Sequence, residues 1–129
     1  MNLIDVSFED WGMIDYEIAW KKQHSLFDEA LKHKDNNLPV INRIIFCEHP
    51  HVITLGKHAN HQNVLFSNKK LREQGIALFQ TDRGGDVTYH GPGQLVVYLI
   101  LNLSDFGFGL KHYILMLETI VITDRKSVV

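Results

Sequence analysis

The sequence predicts an α+β domain (α/β mixed) in which a mixed β-sheet is flanked by helices. Short apolar runs, typical of strands, alternate with two longer stretches in which apolar residues recur at helical spacing. The order strand, helix, paired strands, short helix, paired strands, helix departs from the regular alternation that builds a parallel sheet. With 129 residues, of which 45% are hydrophobic and 22% charged, the chain has the size and composition of one globular domain at most.

The first two elements are a strand and a long helix. Leu3 to Phe8 alternates apolar and polar residues, as a half-buried strand does. From Asp15 to Lys34, apolar residues recur at spacings of three, four and seven and form one helical face, which we expect to be core. The residues of this face are Tyr16, Trp20, Phe27, Ala30 and Leu31.

Two apolar strands follow the helix. Asp35 to Pro39 is a polar break that ends it, and Asn42 to Glu48 is dense in apolar residues. His49-Pro50-His51 interrupts this run, and Val52 to Leu55 forms the next strand, which Gly56 closes. We therefore predict two consecutive strands joined by a histidine-proline turn.

A polar loop and a short helix occupy the next part of the chain. Lys57 to Phe66 is polar, and Ser67 is an N-cap for a helix that continues to Gln74 and stops at Gly75. Ile76 to Gln80 then returns as a strand.

A glycine-rich stretch from Arg83 to Leu95 contains four of the nine glycines. Without Cβ atoms, paired glycines let a ligand approach the main chain closely, which suits the floor of a binding site. Pro92 and Gly93 predict a type II turn, at which a strand from Val87 to His90 turns back into the apolar segment Gln94 to Leu101. From local chemistry alone, a tight hairpin without a ligand explains the stretch equally well.

The last strand and helix complete the chain. Leu95 to Leu101 is apolar on both faces, as expected for a central strand that is covered on both sides. A turn containing Gly107 and Gly109 follows, and Lys111 to Ile122 is predicted to be helical.

Composition and charge exclude several classes of protein. A net charge of −2 argues against nucleic-acid binding, because phosphate binding needs a concentrated basic face. The longest apolar run, Leu95 to Leu103, is far shorter than the roughly 20 residues that span a bilayer, so no membrane association is expected. The first residues have no secretory pattern, and the single cysteine, Cys47, fits a reducing compartment. We expect a cytoplasmic protein.

Three segments resemble one family. Arg83-Gly84-Gly85, followed by Thr88 to Val96, is similar to the signature of the octanoyltransferases of lipoate biosynthesis, the lipoyl(octanoyl) transferases. The segment Glu48 to Gly56 resembles the family's Glu-His-Pro turn and the strand after it. The first helix also resembles the family at Tyr16, Ala19, Trp20 and Gln23. The resemblance implies the fold of the catalytic domain shared with lipoate and biotin protein ligases.

The resemblance also implies a reaction. Family members transfer an octanoyl group from octanoyl-acyl carrier protein to a lysine of lipoyl domains in dehydrogenase complexes or of the glycine cleavage H protein. They use a cysteine acyl-thioester and no cofactor. The family's catalytic cysteine and the lysine that favours its thiolate lie in a C-terminal half that residues 1–129 do not contain, and the likeness fades from about Thr123. We therefore expect residues 1–129 to be the N-terminal part of a single catalytic domain, truncated at the C-terminus, with no catalytic residue and no turnover alone.

The family's substrate-binding stretch carries over to eight positions. The glycines are expected to offer backbone, Val87 and Tyr89 apolar surface, and His90 positioning. An octanoyl tail buries six or seven methylene units, which at about 0.8 kcal/mol each gives roughly 5 kcal/mol of binding. The expected substrate-binding residues are Arg83, Gly84, Gly85, Asp86, Val87, Thr88, Tyr89 and His90. After this stretch the chain departs from the family pattern at Val97 and Leu99.

Several alternatives stay open. Cys47 lies in an apolar run, so we expect it to be buried and inert rather than a substitute nucleophile. No zinc-ligand spacing relates the histidines at 49, 51, 58 and 61, so no metal site is expected. The remaining alternatives are an ATP-dependent lipoate or biotin protein ligase of the same fold and a non-catalytic acyl-binding or metal-binding module.

Overall fold

In the computed structural model, which describes residues 3–127, the strands are divided between two three-stranded sheets. Single-turn 3₁₀ helices lie at His61–Asn63, inside the predicted polar loop, and at Leu103–Phe106. The strands and α-helices in chain order are β1 (Val6–Met13), α1 (Tyr16–Asp35), β2 (Asn42–Glu48), β3 (Val52–Leu55), α2 (Asn68–Glu73), β4 (Ala77–Gln80), β5 (Val87–His90), β6 (Val96–Ile100) and α3 (Leu110–Ser127).

The two sheets have the same mixed pattern of pairing. In the first, with order β1-β2-β6, the central strand β2 runs parallel to β1 and antiparallel to β6. In the second, with order β4-β3-β5, the central strand β3 runs parallel to β4 and antiparallel to β5. The predicted α+β class with mixed pairing is confirmed, although two sheets take the place of the single predicted sheet.

The chain crosses between the sheets at residues 49–51 and again at residues 91–95. The predicted pairing of the two strands on either side of each crossing is therefore wrong, including the hairpin of β5 with β6. The turn itself is confirmed, since the Gln94 amide donates to the Gly91 carbonyl at 3.2 Å and Gly93 has a φ of 86°. The Gly93 amide also donates to Glu48 Oε2 at 2.8 Å, which ties the two crossings together.

The prediction of a central position for β6 is also wrong. Within residues 3–127, β6 pairs with β2 alone and forms an edge of the first sheet. Leu95 and Val97 are exposed. The apolar residues on both faces of β6 predicted that other elements cover both faces. Within residues 3–127, the face that carries Val97 stays at least partly exposed.

The predicted Ser67 cap of α2 is confirmed, and α1 begins directly after a cap at Asp15. The Asp15 carboxylate caps α1 by accepting from the Glu17 amide at 2.9 Å, and Ser67 caps α2 by accepting from the Lys70 amide at 3.2 Å. α3 is longer than predicted. No described helix has the length and apolar character needed to cross a membrane.

Two expectations at the N-terminal end need correction. β1 begins and ends later than predicted, because its parallel register with β2 continues through Asp10 and resumes at Met13. On α1 the predicted core face is only partly core. Phe27 is 52% exposed and Leu31 is 42% exposed.

The buried residues lie mainly on the two central strands, with one buried residue on each of α1 and α2. The apolar ones include Ile45 from β2 and Val52 and Leu55 from β3, together with Ala19 of α1 and Leu71 of α2. Polar residues are buried there as well, chiefly Asn42, His49 and Thr54. Buried polar groups need hydrogen-bond partners, and those of His49 lead to the candidate site.

Candidate functional site

Arg83 holds the connection between β4 and β5, residues 81–86, here called the glycine loop, against the end of β3. Its Nη1 donates to the Gly84 carbonyl at 2.8 Å, and its Nη2 donates to the Asp86 carbonyl at 3.0 Å. Nη2 also lies 3.1 Å from the Thr54 carbonyl and 2.9 Å from Thr54 Oγ1. Because these donors are directed at protein oxygens, Arg83 shapes the loop.

One side of the glycine pair is closed and the other is open. The Gly56 amide donates to the Asp86 carbonyl at 3.0 Å, and a Cβ at Gly56 would lie 2.0 Å from the Gly85 carbonyl oxygen. Gly85 has a φ of 88°, in the left-handed region that favours glycine. Gly84 is exposed, and a Cβ built there would meet no atom within 4 Å. The open side is free to receive a ligand along the backbone of Gly84.

Asp86 ties the glycine loop to the polar loop at residues 57–66. Its Oδ1 accepts from the Asn60 amide at 2.8 Å, and its Oδ2 accepts from the side-chain amide of Asn63. The carboxylate therefore fixes the relative positions of two loops.

The last two residues of β5 lie in different surroundings. Tyr89 is half exposed and shares a hydrogen bond with His51, which precedes the neighbouring strand β3. His90, which is next along the strand, donates from Nδ1 to Gln94 Oε1 at 2.6 Å and stacks on Tyr16 at a centroid distance of 6.0 Å. His90 thus belongs to a half-buried aromatic cluster, while Tyr89 offers apolar surface on the other face of the strand.

The cluster that receives His90, here called the His49 cluster, comprises Tyr16, His49, His90 and Tyr98. His49 is fully buried; its Nδ1–H donates to the Ile14 carbonyl at 2.8 Å, so Nε2 accepts from the Tyr98 hydroxyl at 2.7 Å. Tyr16 contacts His49 edge to face at 5.1 Å. Burial lowers the pKa of His49 and raises the pKa of Tyr98, so both side chains are neutral at pH 7.

Cys47 lies beside this cluster but is not activated by it. Its sulfur is 3.7 Å from His49 Nε2, and the residue is 2% exposed, so the predicted burial is confirmed. Burial, with a smaller contribution from Asp10, raises the pKa of the thiol to about 11. A thiolate, which is the reactive form, is therefore strongly disfavoured at neutral pH.

The histidines at 49, 51, 58 and 61 do not converge. His49 and His51 use ring nitrogens in the hydrogen bonds described above. In the part of the chain that the structure describes, no group of three or more His, Cys, Asp or Glu side chains is placed to hold a metal ion.

An ion pair that the sequence did not reveal joins α1 to the glycine loop. His24 Nδ1–H donates to the Trp20 carbonyl at 2.9 Å, and Nε2 faces Asp82 Oδ2 at 3.3 Å. The Trp20 carbonyl and the Asp82 carboxylate raise the pKa of His24, against a smaller opposing effect of burial. The His24 hydrogen bond, in turn, lowers the pKa of Asp82.

Sequence reasoning also missed Tyr98. It lies opposite Ile45 in the pairing of β2 with β6, and this pairing brings its hydroxyl to His49. A lone tyrosine in an apolar run carries no local signal of that role. Among the predicted substrate-binding residues, Arg83 and Asp86 support the loop, whereas Gly84 and Tyr89 have open surface. Gly85 packs against Gly56, and His90 lies in the His49 cluster.

Comparison with known proteins places this geometry in a family. The family model described as the lipoyl protein ligase A/B catalytic domain matches residues 15–126. The octanoyltransferase of Bacteroides fragilis is 52% identical over 113 residues, covering 88% of this chain and 51% of that protein. The octanoyltransferase of Bacteroides thetaiotaomicron is 50% identical over 113 residues, covering 88% and 50%, respectively. The chain thus spans about half the length of these relatives.

A solved structure agrees on the fold. The crystal structure of LipL1 from P. falciparum in complex with lipoate matches 68% of this chain and 28% of that protein, with a TM-score of 0.50 and 17% sequence identity. At that identity the likeness concerns the fold. Together with the match over residues 15–126 and the identity to the Bacteroides octanoyltransferases, it confirms the resemblance recognised in the sequence. The chain belongs to the lipoyl protein ligase A/B catalytic domain family.

Proposed function

We propose that this chain is part of an octanoyltransferase of lipoate biosynthesis. The proposed reaction moves an octanoyl group from octanoyl-acyl carrier protein to a lysine of a lipoyl domain or of the glycine cleavage H protein, in the cytoplasm and without a cofactor. The observation that carries the proposal is the 52% identity to the octanoyltransferase of Bacteroides fragilis over 113 residues.

In this proposal the glycine loop and β5 form the floor for the acyl chain. Gly84 has open space above its backbone, and Tyr89 is half exposed, so a hydrocarbon can lie against both. Arg83 and Asp86 hold the floor in shape through their hydrogen bonds to neighbouring loops. Preorganisation of this kind lowers the entropy that binding would otherwise lose.

The proposed chemistry proceeds in two steps. A cysteine thiolate attacks the carbonyl carbon of the octanoyl thioester, the bond between that carbon and the carrier protein's sulfur breaks, and the carrier leaves as its thiolate. The neutral ε-amine of the acceptor lysine then attacks the enzyme thioester, an amide forms, the enzyme thiolate leaves, and the proton that the amine loses goes to solvent, from which the carrier's thiolate takes one up. Cys47 is a poor nucleophile because its thiol is buried with a pKa of about 11. We therefore assign the catalytic cysteine and lysine to residues outside 1–129 and expect no turnover by this chain alone.

A basic surface on α2 is the proposed docking site for the acidic carrier protein. Lys70 lies over the Phe66 ring at 4.4 Å, Lys69 is 3.9 Å from Glu73, and Arg72 has no ion pair among the described residues. The other basic group, on α1, is more fully engaged, since Lys21 pairs with Glu17 at 2.7 Å. Cationic side chains that are not already in an ion pair attract an acidic partner, and this attraction is stronger at low ionic strength.

A chimera tests the reaction. Residues 1–126 would replace the matching half of the Bacteroides fragilis octanoyltransferase, and octanoyl transfer to a lipoyl domain would be followed by mass spectrometry. We expect transfer by the chimera and none by the 129-residue chain. An inactive chimera that folds and binds octanoyl-carrier protein would instead favour the non-catalytic acyl-binding module.

The requirement for ATP separates the transferase from a ligase of the same fold. Transfer from octanoyl-carrier protein without ATP supports the proposal. Attachment of free octanoate only when ATP is present would assign the chain to a ligase.

The docking surface on α2 is tested in the same transfer assay. Arg72→Glu should raise the KM for the carrier protein several-fold, whereas Lys32→Glu on α1 is the matched control and should leave that KM unchanged.

A further inference from the structure

The side of α1 that faces the predicted substrate-binding stretch carries three ring side chains, spaced four residues apart. Residues with this spacing lie on one side of a helix. The first, Tyr16, stacks on His90 at a centroid distance of 6.0 Å. The second, Trp20, lies against the ring of the third, His24, at a centroid distance of 3.8 Å. His24 in turn faces Asp82, so this side of α1 contacts the stretch both at the end of β5 and in the glycine loop.

The contact of His24 with the glycine loop needs a protonated imidazole. Its Nδ1 lies 2.9 Å from the Trp20 carbonyl oxygen, and its Nε2 lies 3.3 Å from Asp82 Oδ2. A neutral imidazole has one N–H, so it can donate to only one of these oxygens and directs a lone pair at the other. The imidazolium donates to both. The contact is therefore complete only while His24 carries a second ring proton.

The glycine loop is anchored in three directions, and His24 provides one of them. Arg83 binds the loop to Thr54 of β3, and Asp86 binds it to the polar loop. Asp82 adds the contact with α1, which depends on an imidazole. Histidine is the side chain whose charge ordinarily changes between pH 5 and 8. The anchor on α1 should therefore weaken as the pH rises through that range.

The charged groups near His24 favour its protonation. The Trp20 carbonyl and the Asp82 carboxylate raise the pKa of His24, and Asp28 on the same helix adds to this effect, whereas burial opposes it. Towards β6, the side chains that border His24 carry no charge. These are Gln23, Phe27, Leu99 and Ile100. The state of the anchor thus follows the proton on His24.

We propose that His24 is a positioning residue for the acyl floor: through Asp82 it holds the glycine loop against α1 in the form that receives the octanoyl chain. This inference rests on the proposed function of the loop. Gly84, whose backbone has open space, lies two residues after Asp82, so a loop released from α1 presents that backbone less often in the bound geometry. Both side chains of the pair are partly exposed, so solvent screening limits the expected effect to a few-fold.

Hydrogen exchange tests whether His24 positions the loop. The amides of Gly56 and Lys57 donate to carbonyls of the glycine loop at 3.0 and 2.9 Å, so their exchange reports its attachment. In the 129-residue chain at pH 6, His24→Gln should speed the exchange of both amides about threefold, while amides of β2, in the other sheet, keep the parent rate. The control is His33→Gln, in the last turn of the same helix, which should change none of these rates. Equal rates in His24→Gln and the parent, or an increase shared by β2, would overturn the proposal.

Ligand binding tests the consequence for the substrate. The probe is an octanoyl-pantetheine in which an amide replaces the thioester, titrated by calorimetry into the chimera at pH 6 and at pH 8. We expect the Kd of the parent to be about threefold higher at pH 8. His24→Gln and Asp82→Asn should show the higher Kd at both pH values, and the double variant should bind no more weakly than either single variant. Effects that multiply in the double variant would contradict action through Asp82.

The two measurements separate this inference from the proposed function. A parent chimera that does not bind the probe would contradict the acyl floor, while the exchange of Gly56 and Lys57 would still decide whether His24 positions the loop. A His24→Gln chimera that binds the probe as the parent does, with the same pH dependence, would overturn the role of His24 and leave the octanoyltransferase proposal in place.

Discussion

At the scale of single residues, two histidines in and beside the candidate site have contrasting surroundings. His49 donates to the Ile14 carbonyl and accepts from the Tyr98 hydroxyl, so it joins the first crossing between the sheets to β1 and to β6. His24 is the opposite case, because both of its ring nitrogens face acceptors and the cation is favoured. Burial favours the neutral form of His49, whereas hydrogen bonding favours the cationic form of His24.

Removal of the buried imidazole should be costly. His49→Ala leaves the Ile14 carbonyl without its donor and the Tyr98 hydroxyl without its acceptor, and each buried group that loses its partner costs about 1–3 kcal/mol. We expect the free energy of unfolding, measured by urea denaturation, to fall by at least that amount. His58→Ala, at an exposed residue of the polar loop, is the control and should change it little.

The two histidines predict opposite pH dependences. The pKa of His24 is raised in the folded state, so its stabilising contribution is full below about 6.5 and is lost as pH rises through the folded-state pKa. The pKa of His49 is lowered, so its contribution is full above about 6.5 and is lost as pH falls toward the folded-state pKa.

Asp82→Asn tests the loss of the His24 contribution as the pH rises. The variant should lose less stability than the parent between pH 6 and 8 on thermal melts, because the carboxylate that supports the His24 cation is gone. If the melting temperatures of the variant and the parent changed with pH in parallel over that range, the pairing of His24 with Asp82 would be contradicted.

At the scale of elements, the glycine loop is a short connection fixed by close backbone contact. Gly56 at the end of β3 and Gly85 in the loop approach so closely that no side chain fits between them. Arg83 donates to the Gly84 and Asp86 carbonyls of the same loop. The loop before β5 is consequently a rigid platform, which is what a binding floor requires.

Two alanine substitutions separate structure from binding in this loop. Gly56→Ala places a Cβ against the Gly85 carbonyl and should destabilise the chain by about 1–3 kcal/mol. Gly84→Ala has open space and should leave stability nearly unchanged. In the active chimera, however, Gly84→Ala should lower kcat/KM for octanoyl-carrier protein about tenfold if the acyl chain lies on that backbone. Unchanged kinetics would remove Gly84 from the floor.

At the scale of the whole molecule, two similar sheets are joined at adjacent crossings. The Gly93 amide contacts the Glu48 carboxylate where the chain leaves and re-enters the first sheet. A groove between the C-terminal half of α1 and the end of β6, lined by Phe27 and Leu31, exposes apolar surface together with α3. Within residues 3–127, a buried interior on the central strands is thus combined with this uncovered face.

The uncovered face predicts a difference in dye binding. The 129-residue chain should bind 1-anilinonaphthalene-8-sulfonate and enhance its fluorescence several-fold over the chimera, because the dye reports exposed apolar surface. Leu31→Lys should reduce the signal of the isolated chain, and Leu65→Lys should reduce it less. Equal fluorescence from chain and chimera would show that the face stays open in both.

The sequence by itself determined the local elements and the family. The bounds of β2, β3 and β5, the caps at Asp15 and Ser67 and the turn at Gly93 follow from hydrogen bonds and dihedral preferences that act within a few residues. The family followed from an ordered motif, which is likewise local.

Only the tertiary structure decided which strand pairs with which. It divided the strands between two sheets, put β6 at an edge, joined His49 to Tyr98 across 49 positions and His24 to Asp82 across 58, and directed Arg83 at backbone carbonyls. Such contacts depend on the closure of long segments of chain and on competition among several apolar partners of similar quality. Periodicity within one segment does not predict which of these partners the segment contacts.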